Sequence, residues 1–366
     1  MLITMGSYLM RFHGGKPPKG FLDFSTPINP LGPPNIVKEL IYEAIKNDVH
    51  SLYPDYSYRT LREAIANFYN IEPDYVIPLN GAAEALYMIT AVERPSIFMV
   101  FEPTFGDYKQ LLYSLNIHYI SIQYLEILDR YYFPIDIAKQ LSKTFNSKNS
   151  KCIAMLSNPN NPLGTQTPRY IIEELVQIYR DCLIVIDEAF MDLSKKYESA
   201  IELANDYKNL IVIKSLTKTF AVPGLRIGFL YTLNKNILYA LESFRQPWNI
   251  NSIAEYVFSR ALNEYKDDLW RYIEYSRNVI ESEKLFLEDA FRTLNLHFYK
   301  TYTPFILIRF HVDVDYIQKA LEEFNIYIRN ASTYTYLTKF HGRVSIRLRY
   351  DNEKLVNALK QLLERM

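Results

Sequence analysis

Leu210-Ile-Val-Ile-Lys-Ser-Leu-Thr-Lys-Thr-Phe-Ala-Val-Pro-Gly-Leu-Arg-Ile-Gly-Phe-Leu-Tyr231 is the stretch that decides how this chain is read. Two apolar runs, residues 210–213 and 226–231, have the length and composition of strands. Between them sits a polar segment, and Lys218 follows the first run closely enough to lie in a turn at a strand end, near the core. A lysine by itself is nearly always a solvated surface charge. Its neighbours change that reading. Ser215 and Thr217 offer hydroxyls, and Arg226 offers a planar fork suited to a phosphate. An amine held near cations, or in an apolar pocket, has a lowered pKa and can attack a carbonyl.

Working outward, further short apolar runs occur at residues 97–101, 152–156 and 183–186. Between several of them the spacing is helical, as over residues 170–179, and a helical pattern also covers 58–69. Alternation of this kind predicts an α/β domain with a mostly parallel sheet. In such sheets ligands bind beyond the carboxyl ends of the strands. Four of those junctions carry polar or glycine-containing segments: Asn158-Pro-Asn-Asn-Pro-Leu-Gly164, Asp187-Glu-Ala-Phe190, Ser215-Leu-Thr-Lys218 and Gly224-Leu-Arg-Ile-Gly228. Four together on one sheet edge point to one site. Asn80-Gly-Ala-Ala-Glu84, just ahead of an apolar helical run, suits an anion, because small residues let backbone N–H groups approach it.

Beyond the sheet, residues 237–294 read as largely helical, with a break at Gln246-Pro-Trp248. Strand-like runs at 305–310, 326–329 and 344–348, with helices at 314–324 and at the end, read as a smaller α+β domain. The expected division is residues 1–44 as an N-terminal arm and part of the small domain, 45–240 as the large domain, and 241–366 as linking helices and the small domain.

Composition narrows the function. In 366 residues, 49% are apolar and 22% charged, with a formal net charge of zero. A sizeable core is expected, and a dedicated nucleic-acid or membrane surface is not. No apolar run approaches the ~20 residues of a membrane span, and the start lacks a basic leader and a small-residue cleavage site, so no signal peptide is expected. Cys152 and Cys182 lie in strand-like apolar runs and are expected to be buried thiols, which fits a reducing, cytoplasmic compartment. Six scattered histidines without metal-ligand spacing predict no metal site. Ser215-x-x-Lys218 also matches the motif of penicillin-recognising serine enzymes, but the Ser-Asp-Asn and Lys-Thr-Gly triplets those enzymes need do not occur.

On these motifs the chain resembles the aspartate-aminotransferase-like, fold type I enzymes of the class I/II aminotransferase superfamily, which use pyridoxal 5'-phosphate. The resemblance covers nearly the whole length. Its most specific element is Ser215-x-Thr-Lys218 followed by Arg226 within Pro-Gly-Leu-Arg-Ile-Gly. It implies that Lys218 is the catalytic Schiff-base lysine, and that Ser215, Thr217 and Arg226 hold the cofactor phosphate with backbone donors from Gly81 and Ala82. It also implies that Asp187 pairs with the pyridine nitrogen, that Asn161 contacts the ring oxygen and that Phe105 stacks on the ring. Tyr53, in Tyr-Pro-Asp, resembles a tyrosine that reaches a phosphate across a dimer, which implies a homodimer with shared active sites.

Within that superfamily the chain is similar to histidinol-phosphate aminotransferases and, more closely, to the L-threonine-O-3-phosphate decarboxylases of cobalamin biosynthesis. The decarboxylase likeness rests on His13-Gly-Gly15, Asp23-Phe-Ser-Thr-Pro-Ile-Asn-Pro-Leu-Gly32, Gln246-Pro-Trp-Asn-Ile-Asn251 and Arg343-Val-Ser-Ile-Arg347. It rests also on Phe190, where aminotransferases usually place a tyrosine. Lys16 and the plain Asn80-Gly-Ala-Ala loop depart from the decarboxylase pattern. The implied substrate is a small phosphorylated amino acid, with His13, Asn161, Arg329, Arg343 and Arg347 as its candidate partners. The same residues serve a transaminating alternative, and a non-enzymatic scaffold is the third reading.

Overall fold

The structure, a computed structural model, describes residues 14–143 and 151–365. Among the described residues, seven strands form the main sheet. They run in the order Val76–Leu79, Gly228–Tyr231, Leu210–Ser215, Leu183–Asp187, Cys152–Ser157, Ile97–Glu102 and Tyr119–Gln123. Gly228–Tyr231 is antiparallel to both its neighbours, and the remaining pairings are parallel. Every residue of Leu183–Asp187 and Leu210–Ser215 is buried. Helices cover both faces, which is why these strands read as continuous apolar runs rather than as an alternation. Two apolar clusters mark the two faces, one around Leu156, Ile186 and Val212, the other around Val100, Val185 and Ile213.

A second, antiparallel sheet has the order His297–Phe298, Phe305–Arg309, His341–Ser345, Arg329–Asn330. It has its own apolar cluster, including Phe24, Ile306, Ile328, Val344 and Leu359. The 28-residue helix Lys266–Thr293 joins the two bodies of apolar packing: Leu269 and Ile273 belong to the first, Leu287 and Phe291 to the second. Leu22–Asp23 pairs in parallel with Ile326–Tyr327, and Ser345 N–H donates to the Phe24 carbonyl at 2.8 Å. That edge pairing carries Ser25, Thr26 and Pro27 from the N-terminal segment to the boundary between the two sheets.

Three expectations change. Lys218 sits in the short helix Leu216–Thr219 rather than a plain turn. The strand read at residues 344–348 is His341–Ser345. Arg347 N–H donates to Asn352 Oδ1 at 3.0 Å and its carbonyl accepts from Asn352 Nδ2 at 2.6 Å, which turns the chain off the sheet toward the helix Arg349–Glu364. The two cysteines are joined as a disulfide instead of being free thiols. The register explains this: Ile153 lies opposite Leu183 on adjacent parallel strands, so Cys152 and Cys182 are cross-strand neighbours with Cα atoms 4.7 Å apart. The cysteines therefore give no support to a reducing compartment. Among the described residues, no helix is long and apolar enough to cross a membrane.

Candidate active site

A cavity of about 270 Å³ opens at the carboxyl ends of the central strands, against the second sheet. Its walls include Ala82, Phe105, Asn161, Asp187, Phe190, Ser215, Thr217, Lys218, Arg226 and Arg343. The residues that sequence spacing put on four separate junctions thus meet around one volume.

The cavity is polarised along its length. At one end Ser215 Oγ and Thr217 Oγ1 lie 2.8 Å apart, both buried, with Arg226 beside them. Arg226 is held at φ 54, a left-handed conformation costly for a residue with a side chain, so the chain is strained where it presents this guanidinium. Gly81, at φ 75, passes so close that an added Cβ would collide with the Arg226 guanidinium. A Cβ on Gly228 would come within 2.9 Å of the Ala82 amide nitrogen. Hydroxyls, a guanidinium and the start of the helix Ala83–Glu93 thereby converge with little bulk between them.

Asp187, which ends its strand, is buried and accepts hydrogen bonds from Tyr108 Oη at 2.8 Å and from Ala189 N–H at 3.1 Å. Burial raises its pKa, and these two donors act against the rise. Lys218 moves the other way. Burial, then the Arg343 and Arg226 guanidinium groups, bring its pKa down to about 8, against a smaller upward pull from Asp187. An amine so placed exchanges its proton near neutral pH.

Arg343 reaches in from the second sheet. Its guanidinium donates to Asn161 Oδ1, to the Ser25 carbonyl at 2.8 Å and to Tyr334 Oη at 3.2 Å, and it lies 5.0 Å from the Phe305 ring centroid. Arg343 is buried and its Nε has no hydrogen-bond partner among the described residues. A buried donor of this kind suits an incoming anion. Phe190 is buried on the same wall, edge-on to Phe305 at 5.3 Å.

Other candidates stand apart from the cavity. Arg347 pairs with Asp351 at 2.8 Å and donates to the Asp23 carbonyl at 3.0 Å, so it faces away from the volume it was expected to line. Arg329 lies behind the wall, donating to the Asn330 carbonyl at 2.7 Å and to Thr333 Oγ1 at 2.8 Å, with Tyr334 between it and the cavity. Tyr53 is 80% exposed and rests on Trp248, with ring centroids 4.6 Å apart. His13 lies outside the described residues. Tyr108 and Tyr334 escaped the sequence reading, because each comes from a segment with no motif of its own; Ser25 and Thr26 lie in the Asp23–Gly32 stretch that carried the family likeness, but nothing in it marked them as lining a cavity.

A profile of the family described as aminotransferase class I and II matches residues 19–362. A protein of Caldanaerobacter subterraneus subsp. tengcongensis, provisionally named a threonine-phosphate decarboxylase, is 33% identical over 92% of this chain and 89% of its own length. The threonine-phosphate decarboxylase of Salmonella typhimurium is 27% identical over 95% of this chain and 93% of its own. A histidinol-phosphate aminotransferase of Thermoanaerobacter sp. is 27% identical over 90% of each. Among solved structures, the histidinol-phosphate aminotransferase from Clostridium acetobutylicum superposes with a TM-score of 0.83 at 26% identity, covering 94% of this chain and 100% of that one. The L-threonine-O-3-phosphate decarboxylase from Porphyromonas gingivalis gives 0.79 at 21% identity, covering 93% and 98%.

Proposed function

The chain belongs to the aminotransferase class I and II family, and from that premise we propose that it is a pyridoxal-5'-phosphate enzyme that decarboxylates L-threonine O-3-phosphate to (R)-1-amino-2-propanol phosphate. The cavity residues fit the cofactor. Ser215, Thr217, Arg226 and the Gly81–Ala82 backbone would hold its phosphate, and the near-collision at Gly81 is what a close backbone approach requires. Asp187 would hold the ring nitrogen, Asn161 the ring oxygen and Phe105 the ring face, while Lys218 would anchor the aldehyde. When bound, the cofactor supplies an electron sink for the bond broken at the substrate's Cα.

The chain's own groups do the rest. Arg343 takes an anionic end of the substrate and, with Asn161, fixes which Cα bond stands perpendicular to the ring plane; only that bond breaks readily. Lys218, whose amine has its pKa near 8, would give way to the substrate amine when the cofactor is bound and would hold the proton that takes the place of CO2 at Cα. Phe190 weights the site against amino transfer without itself choosing the bond broken. It puts an apolar edge in the cavity wall where a tyrosine hydroxyl would tune the imine proton for amino transfer. The relatives named for threonine-phosphate decarboxylation support the same reading. Tyr53, exposed on Trp248, is the group we assign to a partner's cofactor phosphate in a homodimer with shared sites.

The likeness to histidinol-phosphate aminotransferases favours a second reading, in which Lys218 moves the Cα proton to the cofactor instead. One assay separates them. Purified holoenzyme given threonine phosphate and no keto acid is expected to release CO2 stoichiometrically with substrate loss. No CO2, together with glutamate formed from 2-oxoglutarate and histidinol phosphate, would replace decarboxylation with amino transfer.

A further inference from the structure

Behind Asp187 lies a residue that no motif singles out. Tyr108 is the second residue of the helix Asp107–Ser114, is 1% exposed and does not line the cavity. Its ring meets the Phe105 ring edge-on at 83°, with centroids 5.9 Å apart. The same turn of chain therefore supplies an aromatic face to the cavity and, three residues on, a hydroxyl directed at the carboxylate. That hydroxyl donates to Asp187 Oδ2 at 2.8 Å, while Ala189 N–H takes Oδ1 at 3.1 Å. Each carboxylate oxygen has one donor behind it, which fixes the plane of the group and leaves a lone pair on each oxygen for the cavity.

We propose that Tyr108 is a positioning residue whose hydroxyl holds the Asp187 carboxylate, aimed into the cavity, as the anionic partner of the cofactor's ring nitrogen. This rests on the pyridoxal-phosphate reading above. The physical need is plain. A carboxylate without water tends to take up a proton, and a neutral acid cannot hold a protonated ring nitrogen beside it. A phenol donor in the same buried layer opposes that uptake, because hydrogen bonds to a charged acceptor are the stronger kind. The proton stays on the tyrosine: burial and the neighbouring Asp187 carboxylate hold the Tyr108 hydroxyl well above its ordinary pKa. Tyr108 is thus a donor throughout the working pH range.

The test uses holoenzyme reconstituted with ring-15N pyridoxal phosphate. The Tyr108→Phe protein keeps the aromatic packing and loses one oxygen atom. The expected result is a ring 15N resonance moved toward the unprotonated position, with a titration entering the neutral pH range. Cofactor affinity should fall about tenfold to a hundredfold, the usual weight of a hydrogen bond to a charged group. In an Asp187→Asn background the same substitution is expected to change neither readout. If Tyr108→Phe does not fold, 3-fluorotyrosine placed at position 108 supplies a more acidic donor in an almost unchanged volume; by binding the Asp187 carboxylate more strongly it should move the acid-side transition of the ring resonance, where Asp187 takes up its proton, to lower pH. A protonated ring nitrogen and affinity within twofold of wild type in the Phe variant, or an unmoved acid-side transition in the fluorinated one, overturns the proposal. Wild-type protein that takes up no cofactor overturns the underlying reading as well, so the two failures are distinguishable.

Discussion

Replacing Lys218 by Met is expected to stabilise the cofactor-free protein near neutral pH, and the gain should fade as pH rises. The reasoning starts from the amine's surroundings: burial, then Arg343 and Arg226, take its pKa from 10.5 to about 8. In the unfolded chain the amine returns to its ordinary value. Between pH 8 and 10.5 the unfolded state therefore binds more protons than the folded one, and wild-type stability rises with pH across that window. Below pH 8 both states carry the proton, and folding works against the full difference. At about 1.4 kcal/mol per pH unit this amounts to about 3 kcal/mol at pH 7, and to about 1.5 kcal/mol at pH 9.5. These are upper figures, because solvent in the cavity screens the amine. Methionine fills a similar volume without the charge. Urea unfolding of cofactor-stripped wild type and Lys218→Met at pH 7 and 9.5 reads the difference, and substitution effects common to both pH values cancel. A stability difference that stays flat between the two pH values, or a wild type already more stable at pH 7, would refute the argument.

Three more outcomes follow from the same geometry. Gly81→Ala, forced at φ 75 and pressed against the Arg226 guanidinium, should weaken cofactor binding at least tenfold by equilibrium dialysis and lower stability by about 1 kcal/mol. Unchanged affinity would remove Gly81 from the phosphate cradle. Phe190→Tyr places a hydroxyl in the cavity wall beside Phe305, and should raise the fraction of turnovers that end in amino transfer, scored as glutamate formed per CO2 released. An unchanged ratio would show that this position does not separate the two reactions. Lys214→Met leaves Glu188 and Asp192 buried without their cation and should cost about 3–5 kcal/mol in denaturant unfolding, whereas a loss under 1 kcal/mol would show those carboxylates to be neutral.

Much of the site was legible because its residues are local to strand ends. Lys218, Asp187 and Asn161 each follow an apolar run by a few positions, and the parallel order of those runs brings them together, while Arg226 joins them from just ahead of the antiparallel strand Gly228–Tyr231. What the sequence concealed was relation at a distance. Ser25 reaches the cavity only because Leu22–Asp23 pairs with Ile326–Tyr327, some three hundred positions on. The cysteine pair is a matter of register, and composition carries no register. Arg343 and Arg347 looked equivalent four positions apart. The strand ends between them, so one points into the cavity and the other toward Asp351.

Lys214 and Lys218 carry the same lesson into energetics. Both follow the apolar run Leu210–Ile213, Lys214 fully buried and Lys218 half-buried at the cavity wall, and their proton affinities move in opposite directions. Lys214 is the next-to-last residue of its strand and points to the face away from the cavity. There it is 2.9 Å from both Glu188 and Asp192, with Tyr69 donating to the latter at 2.6 Å. The two carboxylates outweigh its burial and keep it charged well above the ordinary lysine range. Lys218, one helical turn later, faces two guanidinium groups and gives up its proton readily. Strand alternation decides the split: Asp187 and Ser215 turn toward the cavity, so Glu188 and Lys214 beside them turn away. The ion cluster then ties the ends of two adjacent strands together directly behind the groups that would touch the cofactor. Buried charge on one face thus holds rigid the backbone that presents a readily deprotonated amine on the other, and neither lysine could exchange roles with its neighbour without losing both.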